Sequence, residues 1–425
     1  MTANLTIPYG QGSLTLEVDP QRAVTVLAPD HAEDSGAVDE LGVIQKALDE
    51  PLGTAPLKDL AKGRKNVVIL TSDHTRPLPS HLTLPLLLAE IRKGSPKAQI
   101  TVIVGVGCHR AMTEEEMIQR FGAAVVKKEN IINHDPHDDN NLVSLGRLPS
   151  GGEFRLNKTA VEADLLVAEG FIEPHQFAGF SGGPKSVLPG VAAFGTVLAS
   201  HNAEFTVHPK ARPGSVAGNP IHADMLFAAR KAGLAFILNV TLTPRKKVDQ
   251  AFAGDVEMAH QKGRERVLAK SAVKAALAPI VITSNGGYPL DQNIYQSTKS
   301  IMQADLTCQD NGVIIAVNEC RDGHGSQAFL DSFQKAASLD SLLTEIESRG
   351  RDSAIPDQWV TQLTASILRR RRVIMVTKAE AQDVLTLGMR KAASLSEALT
   401  LADELVGDPQ APITVLPNAV AVVIR

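Results

Sequence analysis

NVVILTSDHTRPLP, residues 66 to 79, is the stretch on which the fold turns. NVVIL is a short β-branched run suited to a buried strand, TSDHT is a polar turn, and helical spacing of apolar residues follows over 79 to 93. The unit repeats along the chain. ITVIVGVG, ADLLVAEG and LAFILNV read as further buried strands, with another helical pattern around 220 to 232. Strands alternating with helices specify βαβ units and a mainly parallel sheet. MTEEEM carries a capping box, Thr113 to Glu116, so a helix starts just after the loop GCHRA. That places His109 at the carboxyl end of a strand, where open α/β sheets bind ligands.

A second alternating block begins near residue 279 with PIVITSNGG and continues through a helix from about 291, NGVIIAVNE, helices over 326 to 368, and RVIMVT. TSDHTRPL, 71 to 78, and TSNGGYPL, 283 to 290, match at four of eight positions, and each follows a strand and precedes a helix. The expectation is an α/β protein of two Rossmann-like lobes with mainly parallel sheets and an inter-lobe cleft. The lobes divide as 1–275 and 276–409, crossing in the alanine-rich stretch at 270 to 278, and the closing strands over 410–425 can return to either lobe. The first residues, MTANLTIPYGQGSLTLEV, alternate like a hairpin.

A length of 425 residues favours two domains over one core, and 44% hydrophobic with 21% charged residues is a globular composition. A net charge of -4 excludes the basic stripe of a nucleic-acid partner, and the RRRR cluster at 369 to 372 reads as a solvated helix end. No apolar run approaches the roughly 20 residues of a membrane span. Three cysteines without a C-x-x-C pair argue against a disulfide framework, and with no signal-like start a cytoplasmic location is expected.

FAGFSGGPKSVLPG, 177 to 190, imitates a phosphate cradle. Gly179, Lys185 and Ser186 have Walker spacing, but Pro184 has no N–H to give and Pro189 interrupts the helix that should follow. What remains is a small-residue loop that brings backbone close to something and aims Lys185 at it. GVGCHR lacks the third glycine of a dinucleotide fingerprint. NHDPHDDNN, with His134 and His137, reads as a solvated turn rather than a metal frame.

The strand-end loops of the first lobe carry the chemistry: Asp73, His74 and Arg76; His109 and Arg110; Glu173, His175 and Lys185; and His201 beyond VAAFGTVLAS. Imidazoles on two sides of a cleft suit a reaction that moves protons at either face, and Arg76 offers a planar fork for a carboxylate. In the second lobe DQNIYQSTKS sets Gln292 with Gln296, and Tyr295 with Lys299, at i,i+4 spacing on a helix capped by Asp291. That reads either as an anion site near a helix start or as an ordinary polar face.

GFIEPHQFAGFSGGPKSVLPG, flanked by His109 and His201 and followed by QNIYQSTK and by Trp359 in PDQW, resembles the nickel-pincer lactate racemase family over essentially the whole chain. The resemblance implies a nickel-bearing pyridinium mononucleotide with two sulfur-containing arms, joined through a thioamide to Lys185. It implies His201 as nickel ligand, and Asp73, Ser181, Gly182 and Gly183 around the cofactor. His109 and His175 would be the proton-handling bases, one for each enantiomer, in a proton-coupled hydride transfer through a 2-keto acid. Arg76, Tyr295, Gln296, Lys299 and Trp359 would surround the substrate, a 2-hydroxy acid such as lactate. A dicarboxylate such as malate would need another cation, for which His74, Arg110 and Arg321 are candidates. Cofactor-synthesis proteins are the implied partners. A nicotinamide-dependent dehydrogenase and a non-catalytic small-acid or nickel binder are the rival readings.

Overall fold

A computed structural model describes residues 3–29, 39–107, 110–243 and 245–425. Two six-stranded sheets organise the chain. The first runs in the order Val248–Gly254, Leu234–Leu242, Leu165–Phe171, Asn66–Ser72, Gln99–Gly105, Asn130–Asn133, parallel throughout except at the Val248–Gly254 edge. The chain winds outward in one direction from Asn66–Ser72 and in the other from Leu165–Phe171. Between these two strands the winding reverses, and a crevice opens past their carboxyl ends. The loops leaving them begin at Asp73 and Ile172.

The second sheet is all parallel, in the order Arg390–Ala392, Arg372–Val376, Cys308–Val317, Ala278–Thr283, Ile413–Leu416, Val24–Val26. Its winding reverses between Ala278–Thr283 and Ile413–Leu416. The two matching octapeptides therefore occupy equivalent places, since Thr71 and Thr283 each lie in the last two residues of a strand beside the reversal point of their own sheet.

Strand pairing divides the chain differently from a cut at residue 275. Val24–Val26 is an edge strand of the second sheet, and the hairpin Ala3–Tyr9 with Gly12–Val18 lies over that lobe, packing Ile7, Leu16 and Val18 with Ile280, Ile282, Ile315 and Val317. The closing strand Ile413–Leu416 joins the same sheet, and Val423–Ile424 pairs with Ala272–Val273 at the crossing. The reason is burial: the hairpin's apolar face needs a sheet to cover, and local alternation does not say which.

Leu165–Phe171 is buried at every position, as expected of a central parallel strand covered by helices on both faces. Its one charged residue, Glu169, accepts hydrogen bonds from the hydroxyls of Thr71 and Thr83, each at 2.5 Å. The helices Ser80–Gly94 and Pro220–Lys231 fall where the apolar spacing puts them, and Glu114–Phe121 opens with the Thr113/Glu116 capping box. The helix Ile294–Asp305 is capped by Asn293 rather than Asp291. Asp291 instead accepts from the backbone N–H of Gly10 at 2.7 Å and of Glu319 at 3.0 Å, tying the hairpin turn to a strand end. Among the described residues no helix is long and apolar enough to cross a membrane.

Candidate active site

The strand-end segments of both lobes meet in one crevice. A row of rings crosses it: His175 lies 4.7 Å from Phe177, Phe177 lies 5.0 Å from His201, and His201 lies 5.2 Å from Trp359. Trp359 comes from the helix Gln358–Leu368 of the second lobe, so the last contact bridges the lobes. Phe177, buried and edge-on to both imidazoles, holds them apart and fixes their planes.

Three basic side chains, Arg76, Lys185 and Lys299, act on the carboxylate of Glu173. By surface area Glu173 is exposed, and His175, Lys185 and Lys299 are half-buried. Neighbouring protein atoms crowd all four side chains and disfavour their charged forms. Desolvation pushes the Glu173 carboxyl up, against the pull of Arg76, Lys299 and Lys185. Burial, then the neighbouring cations, drives the Lys185 ammonium well below its ordinary value. Lys299 is lowered to about 8 by burial and by Arg76. Burial, reinforced by Lys185, Lys299 and Arg76, holds His175 well below 6.5, and burial with Lys185 brings His201 to about 4. At neutral pH both imidazoles are therefore uncharged in a crevice that favours an anionic guest.

The hydrogen bonds set the tautomers. His201 Nδ1 lies 2.9 Å from the carbonyl of Val197, which can only accept, so Nδ1 carries the proton and Nε2 keeps its lone pair. Ser200 Oγ, also 2.9 Å from Nδ1, reinforces this because its own proton goes to Val197 O at 2.9 Å. A neutral imidazole with Nδ1–H fixed on a carbonyl and Nε2 open is the usual state of a metal-ligating histidine. At His175 the arrangement is reversed: the N–H of Ala178 donates to Nδ1 at 3.3 Å, placing the ring proton on Nε2.

Lys185 stands in a short 3-10 turn, Gly183–Ser186. Ser181, implied by the family resemblance to face a cofactor, spends its hydroxyl inward, donating to Phe171 O at 2.9 Å and accepting from Glu173 N at 2.9 Å. The glycines are needed for contacts within the protein. Gly182 and Gly183 have φ of +72° and +53°; a Cβ at 182 would sit 2.7 Å from Asn239 Oδ1, and one at 183 would sit 2.5 Å from His260 Cγ. The sequence places no motif around Asn239 or His260.

Asp73 is buried and accepts from Thr75 N at 2.9 Å and Thr75 Oγ1 at 2.5 Å, shaping the turn that carries Arg76. Arg120 donates to the carbonyl of Arg76 at 2.9 Å. Tyr295 donates to Asp357 at 2.9 Å, and Gln296 is held through its backbone by Asn293 at 2.9 Å and Asn285 at 2.7 Å. His109 lies outside the described residues. Of the candidate second cations, Arg110 is engaged with Glu116 through contacts of 2.8 and 2.5 Å, and Arg321 sits 5.4 Å over the Tyr288 ring. His134 is buried, with Nε2 3.0 Å from Ala192 O.

An α/β protein whose two sheets direct their ligand-binding ends into a crevice of three cations and neutral histidines is equipped to hold a small organic anion and move its protons. Comparison with known proteins agrees in kind. Residues 9–214 match the lactate racemase N-terminal domain and residues 273–424 the lactate racemase C-terminal domain. The chain is 48% identical over 424 residues to a lactate racemase of Thermoanaerobacterium thermosaccharolyticum, covering 100% of this chain and 99% of that protein. It is 43% identical over 420 residues to a lactate racemase of Lactiplantibacillus plantarum, covering 99% of each. The structure of the T. thermosaccharolyticum lactate racemase apoprotein superposes with a TM-score of 0.95 over 100% of both chains. A Thermotoga maritima protein at 17% identity shares the fold, with a TM-score of 0.63 over 91% of this chain and 97% of that one. The chain belongs to the lactate racemase family and is an isomerase.

Proposed function

We propose that the protein racemises lactate or a closely related short-chain 2-hydroxy acid, using a nickel-pincer nucleotide joined to Lys185. The observation that carries this reading is the row of His175, Phe177, His201 and Trp359 across one crevice, with Lys185 close enough to act on both imidazoles. The residues fit the cofactor. His201 offers Nε2 as a ligand with its tautomer already fixed. An amine held below its ordinary protonation is a nucleophile, so Lys185 is the residue that would carry the covalent link to the group. When bound, the nucleotide supplies an electron-poor ring that accepts and returns the Cα hydride, which avoids a carbanion at a very weakly acidic carbon.

The protein's own groups do the rest. Arg76 and Lys299 hold the substrate carboxylate, and Trp359 closes the second-lobe side. His175, with its proton on Nε2, donates to the oxygen of the keto acid as it is reduced. To take a hydroxyl proton at Nε2 it first shifts its own proton to Nδ1, giving up only the long 3.3 Å contact with Ala178. His109 serves the opposite enantiomer.

The test is co-expression with the cofactor-synthesis proteins and nickel, followed by intact-mass analysis and chiral assay of D- and L-lactate. A mass increment lost in Lys185→Ala, together with interconversion that retains Cα deuterium in substrate, is expected. Protein that carries the increment yet leaves both lactate enantiomers and other short 2-hydroxy acids unchanged refutes the reading, and washout of the deuterium refutes the hydride route.

A further inference from the structure

We propose that His260 and Asn239 are positioning residues that hold the Ser181–Gly183 backbone in the shape that presents the Lys185 amine, a role that rests on the lysine tether proposed above. Two backbone groups immediately before the lysine's turn are captured from beneath. His260 Nε2 lies 2.8 Å from the carbonyl of Ser181, and the N–H of Gly183 donates to Asn239 Oδ1 at 2.6 Å. The two side chains come from separate elements, the helix Met258–Ser271 and the strand Leu234–Leu242, and are exposed by only 1% and 0%. Anchors on rigid elements that buried can fix a loop to fractions of an ångström, as a group presented for bond formation requires.

The loop is moulded to these anchors. Cβ atoms at 182 and 183 would strike Asn239 and His260 respectively, so the left-handed backbone exists to let the chain settle onto those two side chains. The turn then closes with Lys185 N–H on Gly182 O at 3.1 Å, directly above. Because a carbonyl only accepts, His260 must carry its proton on Nε2. Burial, with Arg264 and His222 nearby, lowers His260 to about 3, so the ring is neutral across the working range. The His222 ring stacks on it at 6.0 Å and 13°, which fixes its plane.

His260→Phe keeps the ring and removes the donor, whereas His260→Gln places an amide N–H at similar reach. Both are produced with the cofactor-synthesis proteins and nickel beside wild type and Lys185→Ala. The fraction carrying the mass increment is expected to fall at least about fivefold in His260→Phe, the scale set by one unpaired buried carbonyl, and to stay above half the wild-type value in His260→Gln. A second readout needs no cofactor: the acetylation rate of Lys185 relative to the exposed Lys335 in the unloaded protein should change at least about fivefold in His260→Phe and little in His260→Gln. A merely structural role would lower the stability of both variants and leave that ratio unmoved. Folded His260→Phe with wild-type increment and wild-type ratio overturns the proposal, as does folded His260→Gln that loses the increment. If His260→Phe does not fold, Asn239→Leu is measured in its place, with the same overturning result. An increment that persists in Lys185→Ala instead sinks the tether itself, and the acetylation ratio still reads the positioning.

Discussion

The protonation of His201 is open to direct measurement. In the cofactor-free protein its imidazole is 7% exposed, and burial together with Lys185 lowers it from 6.5 to about 4. The difference corresponds to about 3 kcal/mol between the protonated and neutral forms. A histidine depressed in the folded state stabilises the fold fully above its unfolded value. That stability declines as pH falls below 6.5 and is gone once pH passes through about 4. At pH 5 the unfolded chain is already largely protonated at this site and the folded one is not, so about 2 kcal/mol of the effect should have been lost relative to pH 7. The assay is hydrogen–deuterium exchange at the histidine C2 position, read peptide by peptide by mass spectrometry across pH 3 to 8. Urea unfolding of wild type and His201→Gln at pH 7 and pH 5 is the thermodynamic partner measurement. The exchange midpoint for His201 should lie near 4, and the wild-type advantage over His201→Gln should shrink by about 2 kcal/mol between the two pH values. A midpoint near 6.5, or an advantage independent of pH, would refute the account of His201 as a pre-set neutral ligand.

Replacing Lys185 by Met removes a cause of the depression, so the His201 exchange midpoint should rise; a fall would show that Lys185 does not act on it. Arg76→Lys keeps the charge but loses the planar fork, so KM for the 2-hydroxy acid should rise about tenfold with a smaller change in kcat, and an unchanged KM would remove Arg76 from the carboxylate site. Gly183→Ala forces a Cβ into His260 at a φ of +53° and should cost about 1–3 kcal/mol in thermal or urea unfolding; a neutral result would mean that the loop settles elsewhere. Glu169→Ala strands the Thr71 and Thr83 hydroxyls in the core and should cost about 1–3 kcal/mol or more, seen as a lower urea midpoint, whereas Glu169→Gln should recover part of it.

Much of the site was legible because chemistry that must face a ligand sits at strand ends, and strand ends announce themselves. NVVIL and ADLLVAEG read as buried strands, and the structure ends a strand just before Asp73 and another just before the loop that bears Glu173 and His175. Asp291 and Asn293 are both good caps for the Ile294–Asp305 helix by sequence, and only the backbone N–H groups of Gly10 and Glu319, which engage Asp291, decide for Asn293. Ser181 and its glycines had to be there, but their reason was hidden. The side chains they accommodate, Asn239 and His260, lie 56 and 79 residues from their partners in the loop.

By itself the sequence determined the alternating α/β architecture, the two lobes and the loops that bear reactive groups, since periodicity and turn chemistry act over a few residues. Tertiary structure alone decided which sheet receives the N-terminal hairpin and the closing strands, which tautomer His201 adopts, and that Lys185 is driven toward its neutral form. Those outcomes depend on burial and on charges brought together from distant parts of the chain, and neither desolvation nor a Coulomb field has any signature in local spacing.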